Sequence, residues 1–282
     1  MSARFPLTHD PEFAGRRALI RLSGTAVVAT VATAAAFSRG ALASGDPSGP
    51  GTRLSQRKFY PDGRVRPYRG NTIICPLPRT GKDSVLFTEM EAFSQSMQRG
   101  PWAAAFAFLP PSSYHMTVFE GLSDGLRTEA GWPRALGRDA SASFCDQWMA
   151  QELATFPYPV PASLRMMAAH MDPALDGRKM RVRLCPADRE TEEALTHLRE
   201  KIGRHLGMFD PARPPYVFHA TIGYPITPMD ERTKERCRER LLAWQDRLAR
   251  HMPPIALGRP AFSVFDDMSA YRPVFALGAK RG

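Results

Sequence analysis

The chain has 282 residues, 43% of them hydrophobic, with a formal net charge of +10. That composition is globular and long enough for one large domain or two small ones. Its four cysteines, Cys75, Cys145, Cys185 and Cys237, have no close pair and no metal-ligand spacing, which argues against a thiolate metal centre. A basic balance suits an anionic ligand but is also an ordinary protein surface, so charge alone selects no function.

The first forty-odd residues differ in kind from the rest. Arg16-Arg17 precedes a charge-free, mildly apolar run over residues 22–37, and Ala41-Leu42-Ala43 supplies a small-x-small cleavage signal. That order reads as a twin-arginine export signal over residues 1–43, followed by release into the periplasm or outside the cell. The run is short for a membrane span of about 20 apolar residues, so no lasting membrane anchor is expected. Five arginines and two acids leave with the segment, so +10 becomes +7. A twin-arginine substrate folds before export, and the cysteines are expected as buried free thiols.

Residues 44–69 are rich in Gly, Pro and Arg and read as a flexible linker or arm. The folded domain is expected over residues 70–279. A β-branched strand at 71–75 ends at Pro76, and a helix over 84–98 carries Leu86, Phe87, Met90, Phe93 and Met97 at helical spacing. A strand at 103–109 follows, then one at 115–120 closed by Gly121. Residues 122–161 read as an insertion, or a lid, with a helix over 143–156. Strands at 163–171 and 179–185, a helix over 189–206, a strand through His219, a helix over 229–251 and strands at 261–265 and 274–277 complete the chain.

Two stretches carry chemistry. Tyr114-His115-Met116-Thr117-Val118 and Phe218-His219-Ala220-Thr221-Ile222 both read His-x-Thr-hydrophobic, 104 residues apart. Strand side chains alternate faces, so each copy offers an imidazole and a hydroxyl on one side and apolar groups on the other. Two copies around one pocket suit in-line cleavage of a phosphodiester: one histidine as base, the other as acid, with threonine hydroxyls on the non-bridging oxygens. The scheme calls for no metal and no cofactor. Ile74-Cys75-Pro76, helix, His115 is echoed by Leu184-Cys185-Pro186, helix, His219, which predicts a pseudo-twofold α+β domain: two antiparallel sheets lining a central cleft, with helices outside.

With these motifs the sequence resembles the two-histidine (2H) phosphoesterase superfamily, whose lobes each carry a His-x-Thr/Ser-x motif. The strings over residues 70–75 and 113–121 are similar to a bacterial and fungal branch related to RNA 2′,5′-ligase/cyclic phosphodiesterase-like proteins. The resemblance spans residues 57–279. It implies a bilobal fold, His115 and His219 as acid and base, Thr117 and Thr221 as phosphate-binding groups, and metal-independent cleavage of a 2′,3′-cyclic phosphate or related bond. The substrate is expected to be a small nucleotide or an RNA end, and the protein a monomer.

Tyr216, Tyr224 and Asn71 are candidate substrate contacts: an aromatic near His219 could stack on a base, and Asn71 could bind ligand or cap a turn. Tyr114 and Phe218 precede the histidines, point the other way and are expected in the core. Arg181 and Arg183 alternate with Val182 and Leu184 on a polar strand face. His170, amid methionines, invites a copper reading that core packing answers as well. Two other functions fit the same cleft: a nucleotide-binding module without turnover, and a metal site using both histidines.

Overall fold

A computed structural model describes residues 53–127, 132–170, 180–212 and 214–278, all within one compact unit that spans residues 42–282. The expected export signal lies outside the described residues. Among those described, no helix is long and apolar enough to cross a membrane.

The elements follow from local chemistry. Helix α1 (Arg53–Lys58) leads to β1 (Gly70–Pro76), whose β-branched Thr72-Ile73-Ile74 favours the extended chain. Helix α2 (Val85–Gln98) buries Leu86, Met90, Phe93 and Met97 as one stripe. Next come β2 (Phe106–Phe108), β3 (His115–Ser123), α3 (Ala142–Ala154), β4 (Ser163–Ala168) and β5 (Met180–Pro186). Helix α4 (Arg189–His205), β6 (His219–Pro225), α5 (Glu231–His251), β7 (Ile255–Gly258), β8 (Ala261–Phe265) and β9 (Arg272–Ala276) complete the fold. Three helices start where a side-chain oxygen accepts an otherwise unpaired backbone N–H. Ser141 takes that of Phe144, Asp188 that of Thr191 and Asp230 that of Thr233, at 3.2, 2.8 and 2.9 Å.

The strands pair antiparallel in the order β7-β4-β5-β6-β3-β1-β8-β9, with β2 added against β6. The order has an internal symmetry about the β6–β3 junction. On one side β5, α4 and β6 form a strand–helix–strand unit flanked by β4 and β7. On the other, β1, α2 and β3 form its counterpart, flanked by β8 and β9. The two expected sheets are thus two four-stranded halves of one ladder, joined where Met116 faces Ala220. Only Arg259 and Pro260 separate β7 at one edge from β8 near the other, so the ladder must curl back on itself. Behind it, Met116, Val118, Ala220 and Ile222 enter a core shared with α2, α4 and α5. Phe93 of α2 stacks on Trp244 of α5, ring centroids 3.9 Å apart, and ties the lobes together.

Several expectations need correction. Residues 56–69 are not a loose linker. Pro61-Asp62-Gly63 makes a tight turn, with Gly63 at φ 85° and its N–H donating to the Tyr60 carbonyl, and Phe59 bridges back to Val65. Phe59 and Tyr68 are buried in the core. A turn of this composition flanked by apolar residues is a hairpin signal that overall Gly and Pro content obscures. Strand β3 runs on through Gly121 because the residue lies against Asn71, where any Cβ would sit 2.3 Å from the amide oxygen. The Cys-Pro echo is out of step with the strand register: Pro76 faces His115, but His219 faces Arg183, three residues before Pro186. The segment expected as an insertion or lid packs through Cys145, Met149 and Leu153 of α3, and α3 lies against β1, β3 and β8. All four cysteines are free thiols, three of them buried.

Beyond their pairing at Ala168 and Leu184, β4 and β5 are bridged by one buried side chain. Gln245 of α5 accepts from the Arg183 N–H at 3.0 Å and donates to the Ala169 and Arg183 carbonyls at 2.7 and 3.3 Å. Gln245→Leu keeps the volume but strands the Arg183 N–H and the Ala169 carbonyl, while the Arg183 carbonyl keeps the Ala169 N–H at 3.0 Å. It should lower the free energy of unfolding by about 1–3 kcal/mol in urea titrations.

Candidate active site

The register at the lobe junction fixes the site. Met116 and Ala220 are opposite one another and fully buried. On an antiparallel pair, Thr117 then lies opposite His219, and His115 opposite Thr221, all four on the other face. The flanking strands extend this into two rungs. One runs Pro76, His115, Thr221, Arg181; the other runs Ile74, Thr117, His219, Arg183. The histidines occupy one diagonal of the central square and the threonines the other. All four are half-exposed, as are both arginines.

The two imidazoles are held alike. His115 Nδ1 lies 2.6 Å from the Ser113 carbonyl and His219 Nδ1 lies 2.8 Å from the Val217 carbonyl, each two residues upstream. A carbonyl can only accept, so each Nδ1 carries a proton, which leaves Nε2 as the atom of each ring that gains or gives up a proton. Around His115 the packing is close. Tyr271 lies against it with ring centroids 4.2 Å apart. Burial pushes the His115 pKa down to about 4, the bond to Ser113 opposes that shift, and the nearby Lys58 ammonium adds to it. His115 is therefore neutral at pH 7.

Lys58 comes from the arm. Its ammonium donates to the Tyr224 hydroxyl at 3.5 Å and lies over the Tyr68 and Tyr224 rings at 5.0 and 4.9 Å. Burial alone would lower its pKa, but the Tyr224 and Tyr68 oxygens and Glu120 hold it raised, so the group stays charged. Burial raises the Tyr271 phenol well above its usual range, with the neighbouring Tyr224, Tyr68 and Asp267 adding to the effect. On the other lobe, Tyr216 sits within hydrogen-bonding reach of Thr117, with its ring 6.2 Å from that of His219. Burial raises its pKa too, and Glu120 adds to the shift. The Arg199 guanidinium covers the Tyr216 ring at 4.0 Å and donates to the Val118 carbonyl.

The structure thus brings together His115, Thr117, His219 and Thr221, and it seats Tyr216 and Tyr224 beside them. Asn71 stands apart. It is buried, its oxygen accepts from the Leu122 N–H at 2.8 Å, and its nitrogen donates to Asp146 of α3 at 2.9 Å. That leaves it a structural bridge rather than a ligand contact. Tyr114 is buried, as expected, and Phe218 packs beneath Tyr216. His170 pairs with Asp246 on the surface. Lys58, Tyr271 and Arg199 were not foreseen: their places depend on the arm, on β9's approach and on the packing of α4, none of which has a local motif.

Cavities of about 880, 760 and 570 Å³ lie along α4 and residues 158–165, between α2 and α5, and along residues 208–218. Only the last touches the site, through Tyr216. Neither His115 nor His219 lines any of these three.

Two imidazoles and two hydroxyls on one strand face, bordered by arginines, are groups suited to a phosphoesterase-type site. Residues 58–175 match the model of a 2H-phosphodiesterase family described as a domain of unknown function (DUF1868). Over that span the chain is similar to the 2H phosphoesterases. The matched span includes His115 and Thr117 and stops short of His219, so the second motif rests on the register above. Among solved structures, the conserved protein of unknown function ATU0111 from Agrobacterium tumefaciens is 26% identical, at a TM-score of 0.68, over 78% of this chain and 90% of that one. TT0787 of Thermus thermophilus (13% identical, TM-score 0.40) and E. coli LigT complexed with 3′-AMP (14%, 0.38) each align over 76% of this chain and all of theirs. At those scores the likeness carries no weight here. No curated protein matches the chain.

Histidine NMR reads the electrostatics directly. The His115 ring should titrate near pH 4 from an Nδ1-protonated tautomer. Lys58→Met removes a positive charge that disfavours the imidazolium, so the His115 pKa should rise in that variant.

Proposed function

We propose that the cleft hydrolyses a 2′,3′-cyclic phosphate, or a related nucleotide or RNA phosphodiester, by histidine acid–base catalysis without a metal ion. The pairing of Met116 with Ala220 carries this reading, because it sets both imidazoles on one face, at opposite corners of a square. A phosphate seated there has one Nε2 on each side, as in-line displacement requires. The hydroxyls of Thr117 and Thr221 occupy the other corners and can donate to the non-bridging oxygens.

The surroundings of His115 support its role as base. Being neutral at pH 7, it can take a proton from the attacking water as the new P–O bond forms. His219 protonates the departing 2′- or 3′-oxygen as the old P–O bond breaks. Each cycle leaves His115 protonated and His219 neutral, and exchange with solvent restores both. Arg181 and Arg183, at the β5 ends of the two rungs, add positive potential for an anionic substrate. Tyr216 and Tyr224 are placed to meet the nucleoside part. We also propose that the protein works outside the cytoplasm, on the strength of the signal over residues 1–43; fractionation of expressing cells tests this.

The test is turnover of 2′,3′-cyclic, 3′,5′-cyclic and 2′,5′-linked substrates with excess chelator present. His115→Ala and His219→Ala should each lower kcat by about 10²–10⁴-fold with the fold intact. Thr117→Val and Thr221→Val should cost less and act mainly on KM. The acidic limb of the kcat/KM profile should lie near pH 4, the value set by burial of His115. Full activity in both histidine variants would refute the mechanism. Tight binding of a cyclic phosphate that is released unchanged would establish a binding module instead.

A further inference from the structure

We propose that Lys58, carried into the cleft by the arm, is a substrate-binding residue whose ammonium takes an anionic oxygen of the phosphate seated by His115. The inference rests on the phosphodiesterase reading and deepens it.

A half-buried ammonium needs a counter-charge or a full set of acceptors. Among the described residues Lys58 makes no ion pair, and its one hydrogen bond, to the Tyr224 hydroxyl, is long at 3.5 Å. It is held instead by two ring faces, those of Tyr68 and Tyr224, which fix the position of a cation without neutralising it. An ammonium has three donors, so two remain for another partner. Glu120 is the acidic group whose field reaches it, at more than ion-pair distance.

The location is specific. Tyr224 lies three residues beyond Thr221 on β6. The Tyr68 ring stacks on Phe265, Phe265 packs on Tyr271, and Tyr271 lies against His115. The charge is close enough for His115 to feel it. Nearby cations are engaged differently: Arg57 donates to the Gly125 carbonyl at 2.7 Å, and Arg69 and Arg272 both pair with Asp266. The arm itself is pinned for this purpose, because the Arg66 N–H donates to the Lys58 carbonyl and Phe59 is buried beside it. A phosphate between the histidines would supply the missing negative charge, and the arm would complete the site.

Calorimetric titration with inorganic phosphate at pH 7 tests this without turnover. Lys58→Met should weaken phosphate binding at least tenfold. Lys58→Arg should stay within about threefold of the parent, and Arg57→Ala, which removes a neighbouring positive charge while Phe59 and the Arg66–Lys58 bond still hold the arm, should bind as the parent does. Far-UV circular dichroism checks each fold, and if Lys58→Met is unfolded the same loss is expected of Lys58→Gln. Undiminished binding by a folded Lys58→Met or Lys58→Gln chain, or no binding by the parent, overturns the assignment. The proposed reaction fails separately, if the parent turns over none of the phosphodiesters.

Discussion

Everything in the cleft depends on one backbone contact, the antiparallel pairing of Met116 with Ala220. Both side chains are small or flexible enough to be buried completely, and that burial decides which way their neighbours point. A slip of one residue would send the imidazoles into the core and bring Met116 and Ala220 to the surface. The hydrophobic register is therefore also the register of the proposed catalytic pair. The same apolar residues that join the lobes place two histidines, from opposite ends of a long stretch of chain, on one face.

Electrostatics then separates two histidines that the backbone treats alike. Each gives its Nδ1 proton to a carbonyl two residues upstream. Around His115, burial and the nearby Lys58 ammonium disfavour the charged imidazole, with the Tyr271 ring packed against it. Arginines border the other end of each rung. Two arginines and Lys58 thus border the site while its proposed base is kept neutral, a combination that suits an anionic substrate attacked by water.

The fold class and the central square were legible in the sequence because strand alternation is local. His-x-Thr followed by Val or Ile says which face is wet, and its repetition says that two such faces exist. The helices were legible for a similar reason, with Leu86, Met90, Phe93 and Met97 marking one stripe and Asp188 and Asp230 marking starts. What stayed hidden was pairing at a distance. Nothing near Lys58 shows that it meets Tyr224, 166 residues away. Nothing near Asn71 shows that Asp146 and the Leu122 N–H will absorb its amide. The arm was misread because Gly and Pro are as common in hairpin turns as in linkers, and Pro61-Asp62-Gly63 belongs to the first kind. The cysteine echo misled in the opposite way: it marks related strands, but in a register three residues out of step.

The central claim is that both imidazoles address one anion. Histidine-selective NMR during titration with inorganic phosphate tests it most directly. The account predicts that the Nε2 signals of His115 and His219 move together, with a single Kd and a stoichiometry of one. Movement of one ring alone, or of the two with different affinities, would contradict it.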